Sequence, residues 1–186
     1  VGDLDLDKIE KLIKEKFSAI PAKQNPRKLE SYTLPDHKEM LVATATDKEA
    51  THTMVQLMYK HPEEKIATIG DFRKSLIDNL YTGMLGQRYD EITQRANTPF
   101  AFAGCYFGGV VRTKDAYTTY AYLSSDKKIE EALKIIAEEN ERATKFGFTA
   151  TELERQKKDV LKQNETAYNE RDKTESNRFI SEYVYY

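Results

Sequence analysis

The sequence contains no tryptophan and only one cysteine, Cys105. A single cysteine cannot form an internal disulfide, and it cannot supply the several thiolates of a cysteine-based metal cluster. No apolar run approaches the roughly 20 residues that cross a bilayer, so the sequence predicts no membrane span. Basic residues are not in excess either, since 29 Lys and Arg stand against 31 Asp and Glu, for a net charge of −2. A nucleic-acid partner is therefore not expected.

The composition is that of a globular domain, because 39% of the 186 residues are hydrophobic and 32% are charged. Both ends look like interrupted elements. The opening VGDLD resembles the last step of a strand that enters a helix cap, and residues 179–186 stop within an amphipathic helix. We therefore expect residues 1–186 to form a single domain excised from a longer chain. Its last helix, from about residue 174, is expected to continue into a linker.

Apolar spacing and turn residues predict nine elements in the order α-β-β-α-β-β-α-α-α. Asp5 or Asp7 caps the first helix, and Pro21 ends it. Strands are predicted at 40–46, 52–59, 100–111 and 116–123, and further helices over 65–95, from Ser125, from the capping box at Thr149 and from about 174. Gly83 and Gly86 predict a bend or break in the helix over 65–95. This order indicates an α+β fold, with helices packed on one face of an antiparallel sheet.

Few side chains suggest chemistry by themselves. Cys105 lies in an apolar run with no histidine nearby in sequence, which is typical of a buried, unreactive thiol. Arg88 is predicted to be a solvated or domain-interface arginine rather than a catalytic one. Tyr117, Tyr120 and Tyr122 follow one another along a predicted strand. They could line a peptide-binding wall, although aromatic residues in strands more often pack in the core or on a sheet face.

Three segments, in order, resemble the second domain of the pitrilysin/insulinase-type zinc peptidases. The first is the opening VGDLD with the apolar helix that ends at Ile20-Pro21. The second is LGQRYDEI at 85–92 followed by FAFAG at 100–104, which is similar to a helix and the strand after it. The third is GFTATELERQK at 147–157, which is similar to the capped helix that closes the domain. Together they cover essentially the whole chain.

This resemblance implies a parent protein built from two similar halves, each of two related α+β domains, that enclose a chamber. In such proteins the first domain holds zinc on an inverted His-x-x-Glu-His motif plus a distant Glu, because two imidazoles one helical turn apart bind the metal and the carboxylate activates water. The implied partners are the upstream catalytic domain, the C-terminal half of the same protein and a peptide substrate. Zinc is then expected upstream, with no cofactor in this chain, and the periplasm or cell envelope of a bacterium is the expected location.

The metal motif is missing from this sequence. Its three histidines, His37, His52 and His61, are scattered, and the nearest match is the run HPEEK at 61–65. Lys65 stands where the second histidine belongs, and its cation would repel zinc. Pro62 fits poorly inside a helix. We therefore expect a surface loop after a strand here, with no metal-binding or catalytic residue.

A second functional pair of the family is only half present. The C-terminal half of these peptidases often carries an Arg and a Tyr seven residues apart that help to hold substrate, and here Arg95 and Phe102 have that spacing. Phe102 lacks the phenol that would stabilise an oxyanion. Arg95 and Phe102 are kept as candidate substrate-binding residues. The alternative is that Arg95 is a cation at a helix end and that Phe102 belongs to the core.

The sequence thus predicts a non-catalytic structural domain of a pitrilysin-like zinc metallopeptidase. It would brace the catalytic domain and form part of the wall of the peptide-binding chamber. The parent would be a zinc metalloendopeptidase, whereas this chain alone would not be an enzyme. Two alternatives stay open: a domain of a non-catalytic relative, either a pseudoenzyme or a structural subunit, and a stand-alone protein-binding module.

Overall fold

The computed structural model describes residues 3–185, which fall into two compact units. One unit holds the residues up to Glu30 together with those from Lys162, and the other is Ser31–Leu161. The strand end predicted at Val1 and Gly2 lies outside the described residues. The helices are α1 Leu6–Phe17, α2 Ile69–Thr93, α3 Ile129–Phe146, α4 Ala150–Asn169 and α5 Ser176–Tyr185, and the strands are β1 Met54–Pro62, β2 Phe100–Val111 and β3 Lys114–Leu123.

Helix α1 begins as the sequence predicts. The Asp5 side chain accepts a hydrogen bond from the backbone N–H of Lys8 at 3.1 Å, which satisfies one of the free amides of the first turn. The apolar side chains of α1 recur every three or four residues, and Leu12, Ile13 and Phe17 are exposed. This amphipathic helix therefore has an apolar face that is largely exposed to solvent.

The second unit is built around a three-stranded antiparallel sheet in the order β1-β3-β2. β2 and β3 form a hairpin, and β1 pairs with the other side of β3. The register places Val55, Ala121 and Ala103 in one row across the sheet. Because side chains alternate along a strand, each such row faces one side of the sheet only.

Helices α2 and α3 pack on one face of this sheet, which we call the inner face. The core there consists of buried residues from both layers: Leu85, Tyr89, Ile92, Phe100, Ala103, Ala121, Ala132, Ile136 and Ala143. The small strand residues Ala103 and Ala121 let the helices approach the sheet closely. The predicted α+β architecture, with helices packed on one face of an antiparallel sheet, is confirmed.

Two details differ from the prediction. Residues 40–46 form no strand, since no described strand pairs with their backbone, and β1 begins only at Met54. Helix α2 also runs through Gly83 and Gly86 without a break. Gly83 serves close packing instead, because a Cβ placed there would lie 2.1 Å from Nε2 of the buried Gln156 on α4.

Candidate functional site

The face of the sheet that points away from α2 and α3 is the candidate site. We call it the outer face. It consists of three rows across the strands: Met54, Tyr122 and Phe102; Gln56, Tyr120 and Gly104; and Met58, Thr118 and Tyr106. None of these nine residues carries a charge, and six of them are aromatic residues or methionines. Such a composition is common at surfaces that bind a partner.

The large side chains of the outer face are half-exposed. Met54, Met58, Phe102, Tyr106 and Tyr122 each keep between 39% and 47% of their surface open to solvent. Contiguous patches of large, exposed and mainly apolar side chains on folded domains are often interaction sites. The outer face is therefore a surface of the second unit that the described residues leave available.

Its aromatic rings contact one another. The Tyr120 ring lies 5.9 Å from Phe102, 6.0 Å from Tyr106 and 6.0 Å from Tyr122, measured between ring centroids. Gly104 makes this arrangement possible, because a Cβ there would lie 3.0 Å from the Tyr120 hydroxyl oxygen. The ring of Tyr120 thus covers the glycine backbone, and the aromatic side chains form one continuous surface.

The two predicted substrate-binding residues are placed differently. Phe102 lies on the outer face, with its side chain half-exposed rather than in the core. Arg95 is exposed in the turn that follows α2, where its backbone N–H donates to the carbonyl of Ile92. Their role in substrate binding stays a prediction.

The three tyrosines of β3 do not form one wall. Tyr120 and Tyr122 lie on the outer face, whereas Tyr117 points to the inner face, where its ring contacts Tyr81 and Phe107. Sequence reading missed Met54, Met58 and Tyr106 as members of the site. The period of two along each strand carries that signal, but it identifies a common face only once the register between strands is known.

The inner face carries a buried polar network. The Tyr89 hydroxyl lies 3.0 Å from Oγ1 of Thr119 and accepts a hydrogen bond from Nδ2 of Asn140 at 2.9 Å. The Tyr117 hydroxyl donates to Oδ1 of the same Asn140 at 2.5 Å. Burial raises the pKa of both phenols, so they remain protonated hydrogen-bond groups. This hydrogen-bond network therefore has a structural role, because it links α2, α3 and the sheet.

Cys105 lies beside this network. Its thiol donates to the carbonyl oxygen of Thr82 with an Sγ–O distance of 3.7 Å. Burial raises the pKa of Cys105 to about 11, so the thiolate is scarce at neutral pH. Cys105 is half-buried, and its lack of reactivity stays a prediction that this raised pKa supports.

Arg88 is not the solvated residue that the sequence suggested. It is 7% exposed, and its Nε and Nη2 donate to the two carboxylate oxygens of Glu152 at 2.6 and 3.0 Å. Nη2 also donates to the carbonyl of Gly147 at 3.0 Å, and the guanidinium lies 4.5 Å from the centre of the Phe148 ring. Arg88 therefore fastens α2 to the connection between α3 and α4, which gives it a structural role.

Glu152 also completes the predicted capping box of α4. Its Oε2 accepts from the backbone N–H of Thr149 at 2.6 Å, and its own N–H donates to the Thr149 hydroxyl at 3.2 Å. The Arg88 guanidinium, acting mainly through the direct hydrogen bonds, lowers the pKa of Glu152 to about 2. The carboxylate is thus ionised at neutral pH.

The residues present do not fit a zinc site. His61 and Pro62 lie at the end of β1 and residues 63–65 are not helical, so the run at 61–65 cannot place two ligands one helical turn apart. Within residues 3–185, no group of three or more His, Cys, Asp or Glu is arranged to hold a metal ion. None of the helices in the same part of the chain is long and apolar enough to cross a membrane.

A family model for the peptidase M16 inactive domain matches residues 1–160. A zinc protease PQQL-like protein of Arabidopsis thaliana is 29% identical over 101 residues, which are 54% of this chain and 11% of that protein. Most of the length of this curated relative thus lies outside the match.

Solved structures share the fold. The first half of the periplasmic protease PqqL from Escherichia coli superimposes with a TM-score of 0.74 and 19% identity, over 97% of this chain and 38% of that one. The structure of the periplasmic protease PqqL from Escherichia coli gives a TM-score of 0.75 and 18% identity, over 99% of this chain and 20% of that one. The chain therefore spans about a fifth to two fifths of the structures it resembles.

The resemblance to the pitrilysin/insulinase-type peptidases is confirmed, since the family model covers all three segments that carry it. The alternative of a stand-alone module from another α+β family is thereby removed. This chain belongs to the family of peptidase M16 inactive domains.

Proposed function

We propose that this chain is the non-catalytic domain that braces the catalytic domain of a pitrilysin-like zinc metallopeptidase and forms part of the wall of its peptide-binding chamber. Residues 1–186 would act together as one domain of that protein. The outer face carries the proposal. It is apolar, uncharged and half-exposed, while the opposite face of the same sheet has a complete core of its own.

The bracing role is inferred from the free-energy cost of leaving the outer face exposed to water. Burying apolar surface contributes roughly 25 cal/mol of favourable free energy for each Å² removed from water. The aromatic rings of the outer face are already ordered by their mutual contacts. Docking a partner there therefore orders few side chains. We assign the outer face, apart from Phe102 at its end, to the upstream catalytic domain, and zinc to that domain rather than to this chain.

The chamber-wall role centres on Phe102 and Arg95. Phe102 lies in the row of the outer face nearest the α2–β2 turn, and Arg95 is exposed in that turn. An aromatic ring and a guanidinium can bind an apolar side chain and a carbonyl or carboxylate of a peptide. The C-terminal half of the protein would close the chamber over this wall. By analogy with the periplasmic relative, we propose the periplasm or cell envelope of a bacterium as its location.

Bracing is tested by thermal unfolding of the full-length protein and of residues 1–186. Tyr122→Asp places a carboxylate on the outer face, so we expect it to lower the Tm of the full-length protein by several degrees and to change the isolated chain little. Ile77→Asp is the matched control, because Ile77 is also about half-exposed but lies on α2. Equal losses for the two variants in the full-length protein would remove the bracing role.

The wall is tested by kinetics on the full-length enzyme. Arg95→Ala and Phe102→Ala should raise KM for peptides with little change in kcat and none in zinc content, since they remove binding rather than chemistry. An unchanged KM would contradict the substrate-binding role of these residues. A full-length protein that binds no zinc and cleaves no peptide would instead favour the non-catalytic relative.

A further inference from the structure

The segment Met40–Thr46 has the composition of a strand. It contains no charge, and charged residues flank it on both sides, at 38–39 and 47–49. Its alternate positions divide into Met40, Val42, Thr44 and Thr46 on one side and Leu41, Ala43 and Ala45 on the other. A strand that carries no charge on either side is typical of strands covered on both faces.

In the structure this segment has no strand partner among residues 3–185. Met40, Leu41 and Val42 are 84%, 69% and 79% exposed. Uncharged, β-prone backbone left open in this way pairs readily with other strands and promotes aggregation. A native protein is therefore expected to cover it.

The chain is anchored on both sides of the segment. Before it, Lys114 pairs with Asp36 at 2.7 Å, and Lys60 donates to the carbonyl of Pro35 at 2.8 Å. After it, the carbonyl oxygen of Thr53 accepts a hydrogen bond from the backbone N–H of Leu123 at 2.9 Å, where the chain enters the sheet. Both anchors belong to the second unit, so the open segment is held near the sheet, and its amides have no backbone partner among residues 3–185.

Strand β1, which begins shortly after this segment in the sequence, lies at an open edge of the sheet. β1 pairs with β3 on one side, and among the described residues nothing pairs with its other side. Although only seven residues separate Thr46 from Met54, segment 40–46 does not close a hairpin with β1. Unpaired strand edges of this kind accept a further strand through backbone hydrogen bonds.

We propose that Met40–Thr46 is completed as a β-strand by pairing with a strand that the same protein supplies from outside residues 1–186. The relatives support this source, because the matched part of the chain covers only 11% of the Arabidopsis protein and nearly the whole chain covers only 20% of the PqqL structure. A strand tethered to the same polypeptide also pairs at a high effective concentration. The inference rests on the proposed function only in placing the chain within a longer protein.

The test is amide hydrogen exchange in the full-length protein and in residues 1–186. We expect the amides of residues 41–46 to exchange at least tenfold more slowly in the full-length protein, because ladder hydrogen bonds protect amides. Val42→Pro removes one donor and should abolish this protection. Lys28→Pro, in an exposed segment without secondary structure, is the control and should leave it unchanged.

Two results would overturn the inference. The first is exchange of residues 41–46 at the rate of exposed loops in the full-length protein. The second is protection that rises with protein concentration, because the partner would then be a second copy of the chain. Tyr122→Asp, which tests bracing, lies on the central strand and should leave the protection in place, so the two proposals can fail separately.

Discussion

The inner and outer faces of the sheet differ in how deeply their side chains are buried and in how their polar groups are hydrogen-bonded. On the inner face, small strand residues such as Ala103 and Ala121 are fully covered by helices, and the polar groups of Tyr89 and Thr119 bond each other. On the outer face the strands carry large aromatic residues and methionines that remain half-exposed. The same three strands therefore serve internal packing on one side and offer a surface on the other.

This difference separates stability from function. Residues that hold the domain together lie on the inner face and along the Arg88–Glu152 junction, where each change removes contacts inside the chain. Under the proposed bracing role, residues of the outer face contribute little to stability until a partner covers them. Substitutions on the two faces should consequently give opposite patterns: large effects in the isolated chain for the inner face, and large effects only in the full-length protein for the outer face.

The largest expected effect comes from the core. Leu85→Ala on α2 removes a fully buried side chain, and we expect it to lower the free energy of unfolding by about 3 kcal/mol. Met58→Ala on the outer face is the control, and it should cost less than about 1 kcal/mol since its side chain is already partly in water. Urea unfolding of residues 1–186 measures both. Similar losses at the two positions would mean that the outer face is packed in the isolated chain.

The Arg88–Glu152 junction should give the next largest effect, and it depends on pH. The pKa of Glu152 is about 2 in the folded chain against 4.5 for an unperturbed side chain. Because the folded-state pKa is depressed, the stabilisation is fully present above pH 4.5 and is lost as pH falls toward 2. We expect Glu152→Gln to cost about 2 kcal/mol at pH 7, since it weakens largely buried hydrogen bonds between charged groups but keeps one acceptor oxygen.

That cost should shrink as the pH falls from about 5 to about 2, because the wild-type carboxylate then becomes protonated too. Chemical denaturation at a series of pH values measures the difference between the two proteins. The control is Glu154→Gln, two residues away on α4 with an exposed side chain, which should show neither the loss nor its pH dependence. A difference that stays constant with pH would contradict the assigned role of the ion pair.

The architecture was predictable from the sequence wherever local signals were strong. Asp5 and Thr149 cap helices as predicted, since capping depends on residues three positions apart. The two strands of the β2–β3 hairpin were likewise predicted, at 100–111 and 116–123, from their apolar content and the turn residues between them. Segment 40–46 was predicted as a strand from composition alone. That prediction was wrong for these residues because a strand also needs a neighbour.

Long-range contacts explain what the sequence could not predict. Arg88 and Glu152 are 64 positions apart, so nothing near Arg88 indicated that it would be buried. Gly83 suggested a helix break, but its role depends on Gln156 from a distant helix. The candidate site itself needed the register, because only the pairing of β1, β3 and β2 brings Met54, Tyr122 and Phe102 into one row.

The smallest effects are expected when a single tyrosine hydroxyl is removed from each face. Tyr89→Phe removes the buried hydroxyl that contacts Thr119 and Asn140, and we expect a loss of about 1 kcal/mol, because both neighbours keep another hydrogen bond. Tyr122→Phe removes a hydroxyl from the half-exposed outer face and should change the stability of the isolated chain by less than about 0.5 kcal/mol. Thermal and urea unfolding of residues 1–186 measure both. If Tyr122→Phe cost as much as Tyr89→Phe, the outer-face hydroxyl would have an internal partner, and the two faces would no longer divide stability from binding.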